Sequence, residues 1–288
     1  MLLNLKNFIY QKTPRFVKQL IPKFIKKKLR KKFFPYYFLM SDLKQLPCFN
    51  YINNNCYEMQ KELVYKFKIH QKQNSFMTSP YLHELLLMRY QFSKSLNFLD
   101  IGGEYIDFFL QLNKNFSNLK YYIFNIEKIN NNFEKVKKEY SFKNLIVIKD
   151  LNSIFNNKYD FINIGSAIQY FNNYEIVLKN ITKISNNIFF SGTVLFESNK
   201  EDYKKHIITE QINCFPDKNY CYFFNKKYFY GFFYEQGFSL LFSKKNLTDN
   251  VNFKNFKNVF EKIEYEDFFF YKKPPEISYW GFLFCLIF

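Results

Sequence analysis

From residue 96 onward the chain alternates short apolar runs with amphipathic stretches, and this alternation limits the fold more than any other feature. The apolar runs cover residues 96–101, 121–126, 145–148, 161–164 and 188–194, with helical patterning over about 104–113, 130–140 and 173–184. Strands that alternate with helices predict an α/β fold with a doubly wound, mostly parallel sheet covered on both faces. Right-handed crossovers then bring the carboxyl ends of the strands to one edge, where ligands bind. Further on, residues 226–236 read as a helix that ends at Gly237. Residues 238–242 and 281–288 read as a closing strand pair with a polar insertion between them.

The rest of the chain divides by composition. Residues 1–56 form a basic extension and connector, 57–95 a mainly helical lead-in, and 96–288 the α/β domain. Thr13 and Pro14 can start a helix whose apolar residues Phe16, Leu20 and Phe24 recur every fourth position. Lysines fill the opposite face, so residues 13–34 predict an amphipathic basic helix kinked at Pro22. Such a helix suits the anionic surface of a membrane, and it suits equally a solvated helix packed on the body. With 48% hydrophobic residues, 40 Phe and 24 Tyr, the chain has the means to bury a large core, which excludes wholesale disorder.

The net charge of +17 points first to nucleic acid, but eleven of the 42 bases fall in residues 1–35, where there is no acid. The remainder carries 31 bases against 25 acids, and only Arg15, Arg30 and Arg89 are arginines. A reader of DNA sequence relies on bidentate arginine, so specific DNA binding is excluded. Five cysteines without a CxxC pair fit a reducing, cytoplasmic setting and offer neither a disulfide framework nor a metal site. No stretch is long enough to span a bilayer as a helix. The expected location is therefore the cytoplasm, or the inner face of its membrane.

The ligand edge is marked by acids at three successive strand tips. The first strand runs into Asp100-Ile101-Gly102-Gly103, a tight turn whose backbone can approach a ligand and whose carboxylate can accept from an ammonium group. The second ends at Glu127, able to bind both hydroxyls of a ribose, and the third at Asp150, able to accept from an exocyclic amine. Together they suit a nucleoside with a positively charged tail. A dinucleotide site wants G-x-G-x-x-G, and here Glu104 and Asp107 occupy the third and sixth positions. A P-loop is absent from the sequence.

The segment Leu99-Asp100-Ile101-Gly102-Gly103 resembles the first motif of class I S-adenosylmethionine-dependent methyltransferases, with Glu127 and Asp150 in place of their ribose and adenine contacts. Residues 159–171 are similar to the region after their fourth strand. More narrowly, residues 80–245 resemble a bacterial methyltransferase-like family associated with lipopolysaccharide and capsule loci, through Ile168-Gln169-Tyr170 and the run from Gln211 to Phe224. The resemblance implies a Rossmann-like fold and S-adenosylmethionine as cofactor, held by Asp100, Gly102, Gly103, Glu127, Asp150 and Ser166. It implies O-methylation of a surface-polysaccharide sugar or its precursor, with Gln169, Tyr170 and Gln211 lining the acceptor pocket. A sugar hydroxyl benefits from a general base, for which His206 is the candidate. The first motif departs from the family in having Glu104-Tyr105 where another glycine is usual, which keeps open a catalytically degenerate domain that binds a membrane or partner. An RNA methyltransferase is the third reading.

Overall fold

The computed structural model describes residues 37–40, 43, 45–47, 56–70, 81, 82, 85, 86, 90, 95–211, 219–246, 253, 256 and 260–273. Strand β1 spans Tyr37–Leu39 and helix α1 Cys56–His70. There follow β2 (Ser95–Ile101), α2 (Asp107–Asn115), β3 (Asn118–Phe124), α3 (Glu127–Tyr140), β4 (Leu145–Ile148), the one-turn α4 (Leu151–Ile154) and β5 (Phe161–Gly165). After a 3-10 turn at Ile168–Tyr170 come α5 (Tyr174–Ile184), β6 (Asn187–Glu197), β7 (His206–Gln211), β8 (Asn219–Asn225), α6 (Lys226–Glu235), β9 (Ser239–Lys245) and β10 (Lys262–Tyr271).

Across the main sheet the order is β4, β3, β2, β5, β6, β10, β9. The first five strands pair in parallel, and β10 lies antiparallel between β6 and β9. This is a Rossmann-like, doubly wound, mostly parallel sheet with one antiparallel strand, β10, near its edge. Its strands carry apolar residues on both faces, as a sheet covered on two sides requires. Phe98, Tyr121, Phe161 and Phe189 meet α2 and α3 on one face, while Leu99, Ile162, Ile164 and Phe190 meet α5 and α6 on the other. Helix α3 reaches the first of these cores with Ile129, Phe133 and Val136, spaced to share one side of the helix.

A small sheet region, continuous with the rest through β6, grows from the far half of that strand. Residues 188–191 of β6 pair with β5, and Leu195 and Phe196, further along the same edge, pair with Phe224 and Asn225 of β8. Strand β7 then pairs antiparallel with β8, and β1 with β7. The three-stranded extension therefore stands beyond the carboxyl edge of β5, backed by Val194, Phe196, Phe223 and Phe260.

Two readings of the sequence change. Strand β9 pairs with β10, which lies in the stretch expected to be a polar insertion; residues 281–288 lie outside the described residues. The acids Glu264, Glu266 and Asp267 disguise β10 as a surface segment, yet Glu266 and Asp267 are buried against specific partners. Part of the connector, expected to be irregular, supplies β1. The basic stretch 13–34 lies outside the described residues.

Candidate functional site

Strand order reverses between β2 and β5, and a cavity of about 430 Å³ opens there, at the carboxyl ends of β2, β3 and β5. The volume is that of a small-molecule site. One wall is the turn after β2. Gly102 has φ +83 and donates its N–H to Phe124 O at 2.8 Å. A side chain on Gly102 would place Cβ 2.3 Å from Ala167 Cβ, so only glycine lets this turn close on the loop after β5. The loop after β3 adds Asn125 and Ile126 to the lining, and the first turn of α3 adds Ile129. The opposite wall is Gly165, Ser166 and Ala167, with Tyr170 and Phe171 beyond them. Gln211 and Asn219, from β7 and β8, bring the small sheet to the same space.

Asp100 lies behind the glycine turn, outside the cavity lining. Its carboxylate is buried and accepts from Tyr121 Oη at 2.6 Å and Asn163 Nδ2 at 2.7 Å. Burial pushes its pKa up to about 6, against the lowering pull of those two bonds. A side chain on Gly103 would meet this carboxylate, so Asp100 and Gly103 shape the turn from beneath.

Two asparagines fasten the adjoining loop. Asn125 Nδ2 donates to Gly103 O at 2.9 Å, tying the loop after β3 to the glycine turn. Asn130, buried on α3, accepts from Asn125 N at 3.0 Å and donates to Asn125 O and Ile148 O. Neither residue was singled out from the sequence. The spacing Asn125…Asn130 across a strand end and a helix start is the only signal they leave there.

Beside this wall, Glu104 lines the cavity, and burial pushes its carboxyl pKa above the ordinary value. Gln60 on α1 holds the same loop, donating to Glu104 O and accepting from Ile106 N at 2.7 Å.

Hydrogen bonds carry the lining on into the small sheet. Tyr170 Oη donates to Gln211 Oε1 at 2.9 Å, and Gln211 Nε2 donates to Tyr37 Oη at 3.2 Å. Tyr37 and Tyr265 share a hydrogen bond between their hydroxyls. Tyr37 comes from β1, so a residue of the N-terminal extension stands directly behind the cavity wall.

The residues expected at the site thus separate. Gly102, Ser166, Tyr170 and Gln211 line the cavity. Gln169 is buried outside the lining, its Oε1 without a hydrogen-bond partner among the described residues. Glu127 is exposed as the first residue of α3, directly after the lining residue Ile126. Asp150 is exposed and caps α4, its Oδ2 accepting from Ser153 N and Oγ, both at 3.1 Å. His206 is not brought to the cavity. It begins β7 while Gln211 ends it, roughly 17 Å apart at about 3.4 Å per residue. Its Nδ1 is hydrogen-bonded with Tyr174 Oη at 2.9 Å, and its ring lies edge-on to Tyr174 and Tyr222. Burial holds its pKa below the usual histidine value. Among the described residues, no group of three or more His, Cys, Asp or Glu is placed to hold a metal ion, and no helix is long and apolar enough to cross a membrane.

The sequence matches no protein-family model and no curated protein. Solved structures with similar folds include an S-adenosylmethionine-dependent methyltransferase from Clostridium acetobutylicum, at 10% identity and TM-score 0.47 over 76% of this chain and all of that one. The N-terminal domain of EvdMO1 with SAH bound has 12% identity and TM-score 0.46, over 75% of this chain and 95% of the other. The glycopeptide N-methyltransferase MtfA, complexed with S-adenosyl-L-homocysteine, has 9% identity and TM-score 0.45 over 75% and 99%. At such distances the strand order and the cavity, not the likenesses, carry the reading of this chain.

Proposed function

We propose that the chain is an S-adenosylmethionine-dependent methyltransferase that acts on a hydroxyl of a surface-polysaccharide sugar or its precursor. The observation that carries this reading is the glycine turn, bare of side chains, facing a cavity at the point where strand order reverses. The residues fit the cofactor. Gly102 leaves backbone open beside the cavity, and Asn125 and Ile126 border the space next to Glu127. In this reading Glu127 binds the ribose hydroxyls. Asp150, with Oδ2 engaged in its helix cap, has Oδ1 to offer to adenine. Glu104 stands where a third glycine is usual in the family that the first motif resembles. Burial raises its carboxyl pKa, the direction that lessens charge beside the cofactor's carboxylate.

When bound, the cofactor supplies an electrophilic methyl group on a sulfonium. The protein's part is alignment and exclusion of water. Tyr170 and Gln211 would orient the acceptor, since both line the cavity and a hydrogen bond from Tyr170 Oη to Gln211 Oε1 holds them together. His206, held by Tyr174 at the far end of β7, is not assigned the role of base.

Calorimetric titration of ligand-free protein with S-adenosylmethionine and S-adenosylhomocysteine tests the reading. Micromolar binding that weakens at least tenfold in Glu127→Ala supports it. No binding to folded, ligand-free protein overturns it in favour of a degenerate domain. Peripheral attachment through residues 13–34 is part of the proposal, supported by their charge and apolar stripe. Deleting residues 1–35 should abolish binding to anionic liposomes, and unchanged binding would refute the attachment.

A further inference from the structure

At the end of β8 away from the cavity, a groove of about 880 Å³ runs between the carboxyl end of β6 and helix α6. Asn225 borders this groove and Asn219 the cavity, six residues apart on β8 and so about 20 Å at 3.3 Å per residue. Two of its lining residues, Lys226 and Tyr230, are held from behind by a buried carboxylate outside the lining. Glu266, 2% exposed, accepts from Lys226 Nζ at 2.6 and 2.9 Å, Tyr230 Oη at 2.9 Å and Ser243 Oγ at 2.8 Å.

Gly231 sits inside α6 on the groove wall, where a methyl group would meet nothing within 4 Å. Glycine in a helix interior lowers stability relative to alanine. Neither close packing nor an unusual backbone angle requires it at this position. Its absent side chain keeps a gap between Tyr228 and Tyr234, three residues to either side on the same helix stripe. Tyr234 is half exposed, and Lys205 covers one face of Tyr228.

The charges along the groove have both signs. Lys200 and Lys227 have no side-chain partner among the described residues, and neither has Glu235. Asn199 and Glu261 form a neighbouring hydrogen-bonded pair. An anion would meet the carboxylates and a cation the lysines. An uncharged polyol can accept from the lysines, donate to the carboxylates and lay an apolar ring face on tyrosine. We infer that this groove binds an uncharged oligosaccharide, crossing α6 at Gly231 between Tyr228 and Tyr234. The site is separate from the cavity and does not depend on the methyl-transfer reading.

The test uses the full-length protein on an array of uncharged hexasaccharides built from hexose, 6-deoxyhexose and N-acetylhexosamine units, with sulfated and phosphorylated chains alongside. Wild type should retain at least one neutral chain. Gly231→Trp should weaken that binding at least tenfold, and Tyr234→Ala several-fold. Gly231→Ala should raise the melting temperature while weakening sugar binding, a combination that a purely structural glycine would not give. Failure of folded wild type to retain any neutral chain overturns the proposal, as does unchanged binding in both Gly231 variants. Retention of only the anionic chains overturns the uncharged assignment. Titration of the same samples with S-adenosylhomocysteine separates the two readings, because loss of sugar binding with intact cofactor binding refutes the groove alone.

Discussion

A methyl group on Gly103 would lie 2.1 Å from Asp100 Oδ2. The turn that faces the cavity therefore rests on a buried carboxylate, with no space for a side chain between them. Gly103→Ala should cost about 1–3 kcal/mol through overpacking and weaken S-adenosylhomocysteine binding at least tenfold. Thermal melting and calorimetry check both effects. An alanine variant with wild-type melting and affinity would show that the turn shifts freely.

The same carboxylate makes stability depend on pH. Asp100 holds its proton more tightly in the folded protein, with a pKa of about 6 against 3.8 for an unperturbed group. Its contribution is therefore most favourable below about pH 4 and declines as pH rises through 6, by on the order of 2–3 kcal/mol. Asp100→Asn, neutral throughout, should lack this decline. Urea midpoints of the two proteins between pH 4 and 7.5 should move in the variant's favour as pH rises. A constant difference across that window would contradict the tight proton.

Tyr37 joins the extension to the cavity wall through Gln211. Tyr37→Phe removes the oxygen to which Gln211 Nε2 donates and should cost about 1–3 kcal/mol. Tyr37 also shares a hydroxyl–hydroxyl bond with Tyr265. Combining Tyr37→Phe with Tyr265→Phe should therefore cost less than the sum of the single changes. Strict additivity in denaturant unfolding would show that the hydroxyls do not interact.

Asn130 makes three bonds, two of them to Asn125. Asn130→Ala should destabilise the fold by at least about 2 kcal/mol and weaken cofactor binding, because Asn125 and Ile126 line the cavity. Asn130→Asp keeps the acceptor for Asn125 N but turns a carboxylate oxygen toward Asn125 O and Ile148 O, so it should cost at least as much as Asn130→Ala. A full loss of binding with unchanged stability in Asn130→Ala would place Asn130 in direct ligand contact instead.

The parallel strands were legible because burial on both faces demands uninterrupted apolar runs, and residues such as Leu99, Ile123 and Ile162 report it locally. Strand β10 was not, because the burial of Glu266 and Asp267 depends on distant partners: Lys226 for one, Gly192 N–H and Asn246 Nδ2 for the other. The glycine turn could be read from its own residues. The place of His206 could not, since it depends on the direction in which β7 runs, which only pairing with β1 and β8 decides. Asp150 shows the ambiguity of a strand-tip acid, because capping a helix and contacting a ligand call for the same residue in the same position.

The antiparallel strand β10 gives the chain's biosynthesis a late step. Strands β6 and β9 are separated in the sheet by a segment made after both of them, and Phe189 and Phe190 of β6 pair with Phe269 and Phe268 of that segment. A nascent chain that has emerged only as far as Lys245 holds β9 without its hydrogen-bonding neighbour and leaves one long edge of β6 unpaired. Such edges invite pairing with other chains. Slow translation between residues 246 and 262 would prolong that exposure, so recovery of soluble protein should respond to codon choice and chaperone supply in that interval.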